Sequence, residues 1–416
     1  MRLDGRHALV IGLGKSGVAA AQLLLQKGAR VVAADDKDLL LPDGVGELRR
    51  VTPDALAGVD LVVVSPGVPL WLPIFIEAAK RGVEIIGEVE LASRFIDEPL
   101  IGITGTNGKS TTTALCGHLL ATVGLRVFVG GNLGNALSNR VLAGGKLDAT
   151  VCELSSYQLE GIRTLRCAAA TVLNVTPDHL DRYPSLEAYA AAKERIFLNQ
   201  RAGDAAVLNA RDPRVAAMRT GAGVKRVMFD ARTALDELGV KLRAPTLRGA
   251  HNAENASAAC LLARHLGVHD LQRGLDTYPG LPHRLEPVRV LDGVEWINDS
   301  KATNVDSVEK SLSAFQSGVV IIMGGRGKGA PYAPLKPLLR ERAKAILTIG
   351  EDADEIAAEL GPVQACGTLA SAVTKAREIA RGGDTVLLSP ACASYDQFRN
   401  FEDRGDQFKA LVRGLR

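Results

Sequence analysis

The chain has 416 residues, a net charge of +3 and an ordinary globular composition, 46% hydrophobic and 4% aromatic, which leaves room for two or three domains and several cores. The near-neutral charge removes the case for a nucleic-acid or anionic-membrane binder, and no apolar run is long enough to cross a bilayer. The six cysteines (116, 152, 167, 260, 366 and 392) form neither a Cys-x-x-Cys pair nor a metal spacing, which fits a reducing cytoplasm better than a disulfide scaffold.

Arg2 and Arg6 precede an apolar stretch, but its glycines fall at turn spacing and Gln22 and Gln26 interrupt it, so it does not read as a secretory leader. His7–Ile11 reads as a strand, Gly12-Leu-Gly-Lys-Ser-Gly17 matches G-x-G-x-x-G, and a helix from Val18 to Lys27 closes at Gly28. Arg30–Ala34 is the next strand and ends at Asp35 and Asp36. Alone, this βαβ fingerprint points to a nicotinamide-dependent oxidoreductase. Its physics asks only for a diphosphate on a helix N-terminus, however, and glycines used solely for close packing would look the same. Leu61–Val64 is a buried strand with Ser65-Pro-Gly-Val-Pro69 at its carboxyl end, where open α/β sheets bind ligands. A helix through Glu77–Arg81 and a strand at Glu84–Ile86 follow, and a domain boundary falls near residue 95.

Pro99-Leu-Ile-Gly-Ile103 reads as a strand and Ala114–Ala121 as a helix. Between them, Thr104-Gly-Thr-Asn-Gly-Lys-Ser110 is a variant phosphate loop, with Ile103 where the usual first glycine stands. Its amides and helix end would cradle phosphates, Lys109 would reach the outer ones, and Ser110 or Thr111 would hold Mg²⁺. Val127–Val129 runs into Gly130-Gly-Asn-Leu-Gly134; Ala149–Cys152 ends at Glu153; Thr171–Val175 ends at Thr176-Pro-Asp-His-Leu-Asp181. Glu153 and His179 are thus expected at two neighbouring strand ends, with Asp178 and Asp181 close by. Glu153 suits a hard cation, whereas His179 is a less typical Mg²⁺ ligand. Ser185 caps a helix over Leu186–Leu198, in which Lys193 reads by itself as an ordinary exposed lysine. His251, Asn252 and Asn255 open an Ala-rich helix and could face an adenine edge.

After residue 283, strands at Val294–Ile297, Val319–Met323, Ala345–Ile349 and Thr385–Leu388 alternate with helical segments such as Leu369–Arg381, which implies a mostly parallel sheet. Three of these strands end in polar or glycine-rich clusters: Asn298-Asp-Ser-Lys-Ala-Thr-Asn304, Gly324-Gly-Arg-Gly-Lys-Gly329 and Ser389-Pro-Ala-Cys-Ala-Ser394. Together with Arg284 they suit an anionic substrate.

Gly105–Thr111, Glu153-Leu-Ser-Ser156, His251-Asn-x-x-Asn255 and Asn298–Asn304 together resemble the Mur ligases, in order and over essentially the whole chain. Asn298–Asn304 with Ser389–Ser394 is similar to the D-glutamate-adding branch, and the Asp-Asn-Pro-Arg motif of diaminopimelate- or lysine-adding members is absent. The resemblance implies an α/β protein of three domains: a Rossmann-like UDP-sugar domain (1–95), a central P-loop-type ATPase domain (96–282) and a mobile Rossmann-like C-terminal domain that binds the amino acid (283–416). It implies ATP-dependent, ADP-producing amide ligation of D-glutamate to UDP-N-acetylmuramoyl-L-alanine in cytoplasmic peptidoglycan precursor synthesis, by a monomer, with Mg²⁺ at two sites. The Gly12–Gly17 loop then serves the sugar-nucleotide diphosphate and not NAD. That also argues against another amide ligase of the superfamily, such as a folylpolyglutamate synthetase, whose substrate needs no UDP site.

By the same resemblance, Lys109, Glu153, His179 and Lys193 are catalytic, Lys193 as a CO₂-derived carbamate, and Ser110, Glu153, His179 and the carbamate hold metal. Gly105, Thr106, Asn107, Gly108, Lys109, Ser110, Thr111, Asn255, Arg284 and Asp299 would bind ATP. Gly14, Ser16, Ser65, Asn132, Ser155 and Gln158 would bind the sugar nucleotide, and Lys301, Thr303, Lys328, Ser394 and Phe401 the amino acid. One departure is Arg326, where some members carry an acid.

Overall fold

A computed structural model describes residues 1–179 and 182–416; Asp181, expected beside His179, lies outside the described residues. The chain divides into two compact units, Met1–Lys241 with Glu254–Leu275, and Leu242–Ala253 with Asp276–Arg416.

The first unit carries two parallel sheets. One comprises β1 (His7–Ile11), β2 (Arg30–Ala34), β3 (Leu48–Arg49), β4 (Leu61–Val64) and β5 (Glu84–Gly87) in the order β3-β2-β1-β4-β5. Its direction of winding reverses between β1 and β4, the switch point at which such sheets bind ligands. The other comprises β6 (Leu100–Thr104), β7 (Val127–Gly131), β8 (Ala149–Glu153), β9 (Ala169–Val172), β10 (Ala205–Asn209) and β11 (Lys225–Phe229), ordered β11-β10-β9-β6-β8-β7. Every residue of β4, β6, β8, β9 and β10 is buried, as parallel strands covered on both faces must be.

Several sequence expectations shift. The helix after the phosphate loop begins at Lys109, not Ala114. The strand expected over 171–175 ends at Val172, because Asn174 leaves the sheet to bond the phosphate loop. The helix expected to reach Leu198 stops at Glu194 and continues as a 3₁₀ turn, Arg195–Phe197. Strands β10 and β11 were not foreseen. Glu153 and His179 follow β8 and β9, which are not neighbours: they flank β6 on either side.

The two sheets of this unit share one core, in which Leu23, Leu24 and Val89 of the first half pack with Leu137, Leu159 and Ile196 of the second. Polar ties add to it. The buried Glu90 carboxylate accepts the amides of Arg163, Thr164 and Leu165, and Glu88 Oε1 accepts the Ser138 amide at 2.6 Å.

The second unit holds β12 (Glu286–Leu291), β13 (Val294–Asn298), β14 (Val319–Gly324), β15 (Ala343–Ile349), β16 (Gln364–Gly367) and β17 (Thr385–Leu388), ordered β12-β13-β17-β14-β15-β16. The sheet is parallel, as expected, except at the unforeseen edge β12, which pairs antiparallel with β13. Asp292 (φ 50°) and Gly293 (φ 76°) make that hairpin turn, the Asp-Gly pair suited to two positive φ values.

Candidate active site

The phosphate loop leaves β6 and enters the helix Lys109–Thr122. Gly108 (φ 85°) forms the N-cap, and a Cβ there would stand 2.1 Å from Asn255 Oδ1, so only glycine fits. Asn174 braces the loop: its side chain accepts the Asn107 amide at 2.8 Å and donates to the Asn107 carbonyl at 3.2 Å, while its own carbonyl accepts the Thr106 amide. Thr106 Oγ1 accepts the Thr176 amide at 3.1 Å. Lys109 Nζ donates to the carbonyls of Gly105 (3.0 Å) and Thr106 (2.9 Å), inside the loop itself. Ser110 is half-buried, whereas Thr111 is buried, so Ser110 is the more accessible of the two hydroxyls. Asn255 joins the loop by accepting from Thr112 Oγ1 at 3.3 Å.

Glu153 is 2% exposed. Its Oε1 accepts Asn132 Nδ2 at 2.7 Å, and its Oε2 is buried without a hydrogen-bond partner. An orphaned carboxylate oxygen is costly, and a hard cation satisfies it. His179 takes a positive φ of 53° and shares a 2.9 Å hydrogen bond between its Nδ1 and Tyr157 OH. Among the described residues, no group of three or more His, Cys, Asp or Glu is placed to hold a metal ion. A hard cation at Glu153 Oε2 would therefore complete its shell largely with phosphate oxygens and water, a set that suits Mg²⁺.

Lys193 overturns the reading of an exposed helical lysine. It is 1% exposed, donates to the Gly105 carbonyl at 2.8 Å, and lies 4.3 Å from the Tyr189 ring centroid. Burial, and then the Lys109 charge, push its pKa down to about 7. Ser155 and Gln158 form a capping box: Ser155 Oγ accepts the Gln158 amide, and Gln158 Oε1 accepts the Ser155 amide. Both therefore shape the start of their helix.

In the first sheet, Gly14 is the N-cap of the helix Lys15–Gln26, and Ser16 sits in its first turn. A Cβ on Gly17 would stand 1.9 Å from the Gly12 carbonyl. Ser65 Oγ donates to that same carbonyl at 2.6 Å. Asp35 uses its two oxygens to accept the Leu13 and Lys37 amides, at 2.9 and 3.0 Å. It thus braces the glycine loop.

In the second unit, Lys328 Nζ donates to Thr303 Oγ1 at 3.3 Å, and Lys301 Nζ lies 5.8 Å from the Phe401 ring centroid. Ser394 is buried at 2% exposure. Asp299 is buried as well, accepting from Leu285 N and Ser389 Oγ, and burial pushes its pKa up to about 6. Arg284 is exposed, and its charge helps burial hold His251 down at about 4.

Family comparisons cover the chain in three segments. Residues 6–87 match the MurD-like N-terminal domain of Mur ligases, 103–244 the Mur ligase middle domain, and 283–392 the Mur ligase glutamate ligase domain. The chain belongs to the Mur ligase family. It is 55% identical to a UDP-N-acetylmuramoylalanine–D-glutamate ligase of Myxococcus xanthus, with 100% of each chain covered, and 52% identical to one of Anaeromyxobacter dehalogenans, covering 99% of this chain and 98% of that one. The fold is similar to UDP-N-acetylmuramate-alanine ligase MurC from Thermotoga maritima (TM-score 0.59, 19% identity, 98% and 99% covered). It is also similar to MurF from Acinetobacter baumannii (TM-score 0.60, 16% identity, 93% and 86% covered).

As a Mur ligase the chain is an ATP-dependent amide-forming enzyme of three-domain α/β fold, and the oxidoreductase reading of Gly12–Gly17 falls. Arg326, the departure noted in the sequence, makes a two-pronged ion pair with Glu351, both contacts 2.9 Å. Sequence reasoning missed three site residues. Asn174 was read as a strand residue. Tyr157 carries no motif. Arg404 is fully buried and donates to Ser300 Oγ and to the carbonyls of Ser300 and Cys392, tying together two of the strand-end loops that bear Lys301 and Ser394. Its signal was present: Arg404, Phe408 and Val412 recur at helical spacing on the buried face of Phe401–Gly414.

Proposed function

We propose that this Mur ligase joins D-glutamate to UDP-N-acetylmuramoyl-L-alanine in cytoplasmic peptidoglycan precursor synthesis, using ATP and acting as a monomer. The carrying observation is the full-length 55% identity with a ligase of that name. Among the described residues no helix is long and apolar enough to cross a membrane. The assigned roles are sugar-nucleotide binding for residues 1–95, ATP chemistry for 96–282 and amino-acid binding for 283–416.

In the reaction, a substrate carboxylate oxygen attacks the γ-phosphorus of ATP and ADP leaves, giving an acyl phosphate. The D-glutamate amine attacks the acyl carbon, and the tetrahedral intermediate expels phosphate to leave the amide. Bound Mg²⁺ supplies positive charge against the phosphoryl oxygens. The amides at the start of the following helix hold the phosphates, those of Thr106 and Asn107 being taken by Asn174. Lys109 trades its loop carbonyls for phosphate oxygens, where it offsets the charge that spreads in the transition state. Asn132 holds Glu153 at its Oε1 and so fixes the direction of Oε2. In the amino-acid domain, Lys301, Thr303, Lys328, Ser394 and Phe401 are assigned to D-glutamate, with two ammonium groups for its two carboxylates.

We also infer that Lys193 works as a carbamate. Its burial supports this: an amine with a pKa of about 7 is available in its neutral form to CO₂, and the carbamate would present oxygens where an ammonium now meets the Gly105 carbonyl.

Isotope transfer tests the chemistry. Substrate labelled with ¹⁸O in its alanine carboxylate is expected to pass one label into inorganic phosphate per turnover. Phosphate free of label would rule out the acyl phosphate.

A further inference from the structure

We infer that Trp71 is a stacking platform for the hexosamine ring of the sugar nucleotide and sets affinity for that part of the substrate; the assignment rests on the sugar-nucleotide reading above. Trp71 is 61% exposed, unusual for an indole, and no motif accounts for it. It is not isolated. The Arg182 guanidinium lies 5.5 Å from the Trp71 ring centroid and 3.9 Å from that of Tyr157. Arg182 is itself 9% exposed and is anchored to Glu160 by a 2.7 Å hydrogen bond. The Arg182 guanidinium thus stands between the two rings, and it lines a small cavity together with Ser65, Leu70, Glu88, Tyr157 and Gln158, next to Trp71 in the chain at Leu70.

The covalent order of the substrate and the order of this loop agree. The segment 65–71 touches the diphosphate loop at its start: Ser65 donates to the Gly12 carbonyl, and Val68 Cγ2 would lie 2.9 Å from a Cβ on Gly12. At its far end Trp71 reaches, through Arg182, the Tyr157 ring whose hydroxyl bonds His179. The substrate runs from diphosphate through hexosamine to the reacting carboxylate. With the diphosphate on Gly12–Gly17 and the carboxylate near His179, the sugar falls along residues 65–71. A pyranose presents an apolar C–H face, and an exposed indole with a cation on one side offers a matching surface on the other.

The chain has two tryptophans, and the other, Trp296, is 1% exposed, so intrinsic fluorescence separates the two. Indole emission of the wild-type protein is titrated with UDP, UDP-N-acetylglucosamine and UDP-N-acetylmuramoyl-L-alanine, and repeated with Trp71→Phe. The expected result is an emission change with both sugar nucleotides, little with UDP, and none in Trp71→Phe. Trp71→Ala is expected to raise KM for the UDP-sugar substrate about two- to tenfold, with kcat within about twofold. Equal quenching by UDP, or wild-type ligation accompanied by an unchanged KM in Trp71→Ala, would overturn the assignment. Sugar-dependent quenching in a protein that ligates nothing would support the platform and sink the ligase reading instead.

Discussion

Lys109→Ala is expected to lower kcat by about a hundred- to a thousandfold, with a smaller rise in KM for ATP. The argument is differential. In the structure the ammonium rests on the Gly105 and Thr106 carbonyls, so ground-state ATP binding gains only the difference between those contacts and phosphate oxygens. Once the γ-phosphoryl group begins to transfer, charge spreads over its oxygens and the lysine interaction strengthens. The loop geometry itself is held by Asn174, Thr176 and Asn255, so thermal unfolding should change little. Single-turnover phosphate release with saturating ATP measures the effect. A rate within tenfold of wild type would remove Lys109 from the chemistry.

Lys193→Arg is expected to cost about 10- to 100-fold or more in kcat, although it keeps the positive charge. Were Lys193 merely a buried cation bonded to Gly105, arginine would replace part of that bond. A carbamate cannot form on a guanidinium, so the two roles separate. At pH 7 an amine of ordinary pKa is neutral in about one molecule in 3,000, whereas one at about 7 is neutral in roughly half. Activity should therefore fall in buffer stripped of CO₂ and return with bicarbonate in the wild type, and respond to neither in Lys193→Arg. Activity indifferent to CO₂ would leave Lys193 as a structural cation.

The phosphate loop, its strand and the βαβ opening were legible because each is local: glycines at fixed spacing between an apolar run and a helix. The burial of Lys193 was not. Its helix, Leu186–Glu194, is rich in alanine and shows no strong apolar face, and the carbonyl that receives the lysine lies 88 positions away. Strand order was hidden for the same reason: nothing near Glu153 or His179 says that β6 runs between their strands. The edge strand β12 escaped although its turn is an Asp-Gly pair, since Glu286–Leu291 has no fully buried residue and lacks an apolar run. Gln158 and Ser155 were assigned to substrate from resemblance, and the structure adds a capping box that uses their polar atoms locally. Arg404 was readable in principle, as a cation on the buried face of an amphipathic helix. Buried charges kept this way hold their surroundings in one arrangement.

The measurement that bears most directly on the proposed reaction is phosphate release from ATP with UDP-N-acetylmuramoyl-L-alanine present, comparing D-glutamate, L-glutamate, meso-diaminopimelate and no amino acid. The expected result is release stimulated by D-glutamate alone, with a product heavier by one glutamyl unit. Release stimulated by diaminopimelate or L-glutamate, with D-glutamate inert, would contradict the assignment of the amino acid; none with any of them, from folded protein that binds ATP, would contradict the ligase itself.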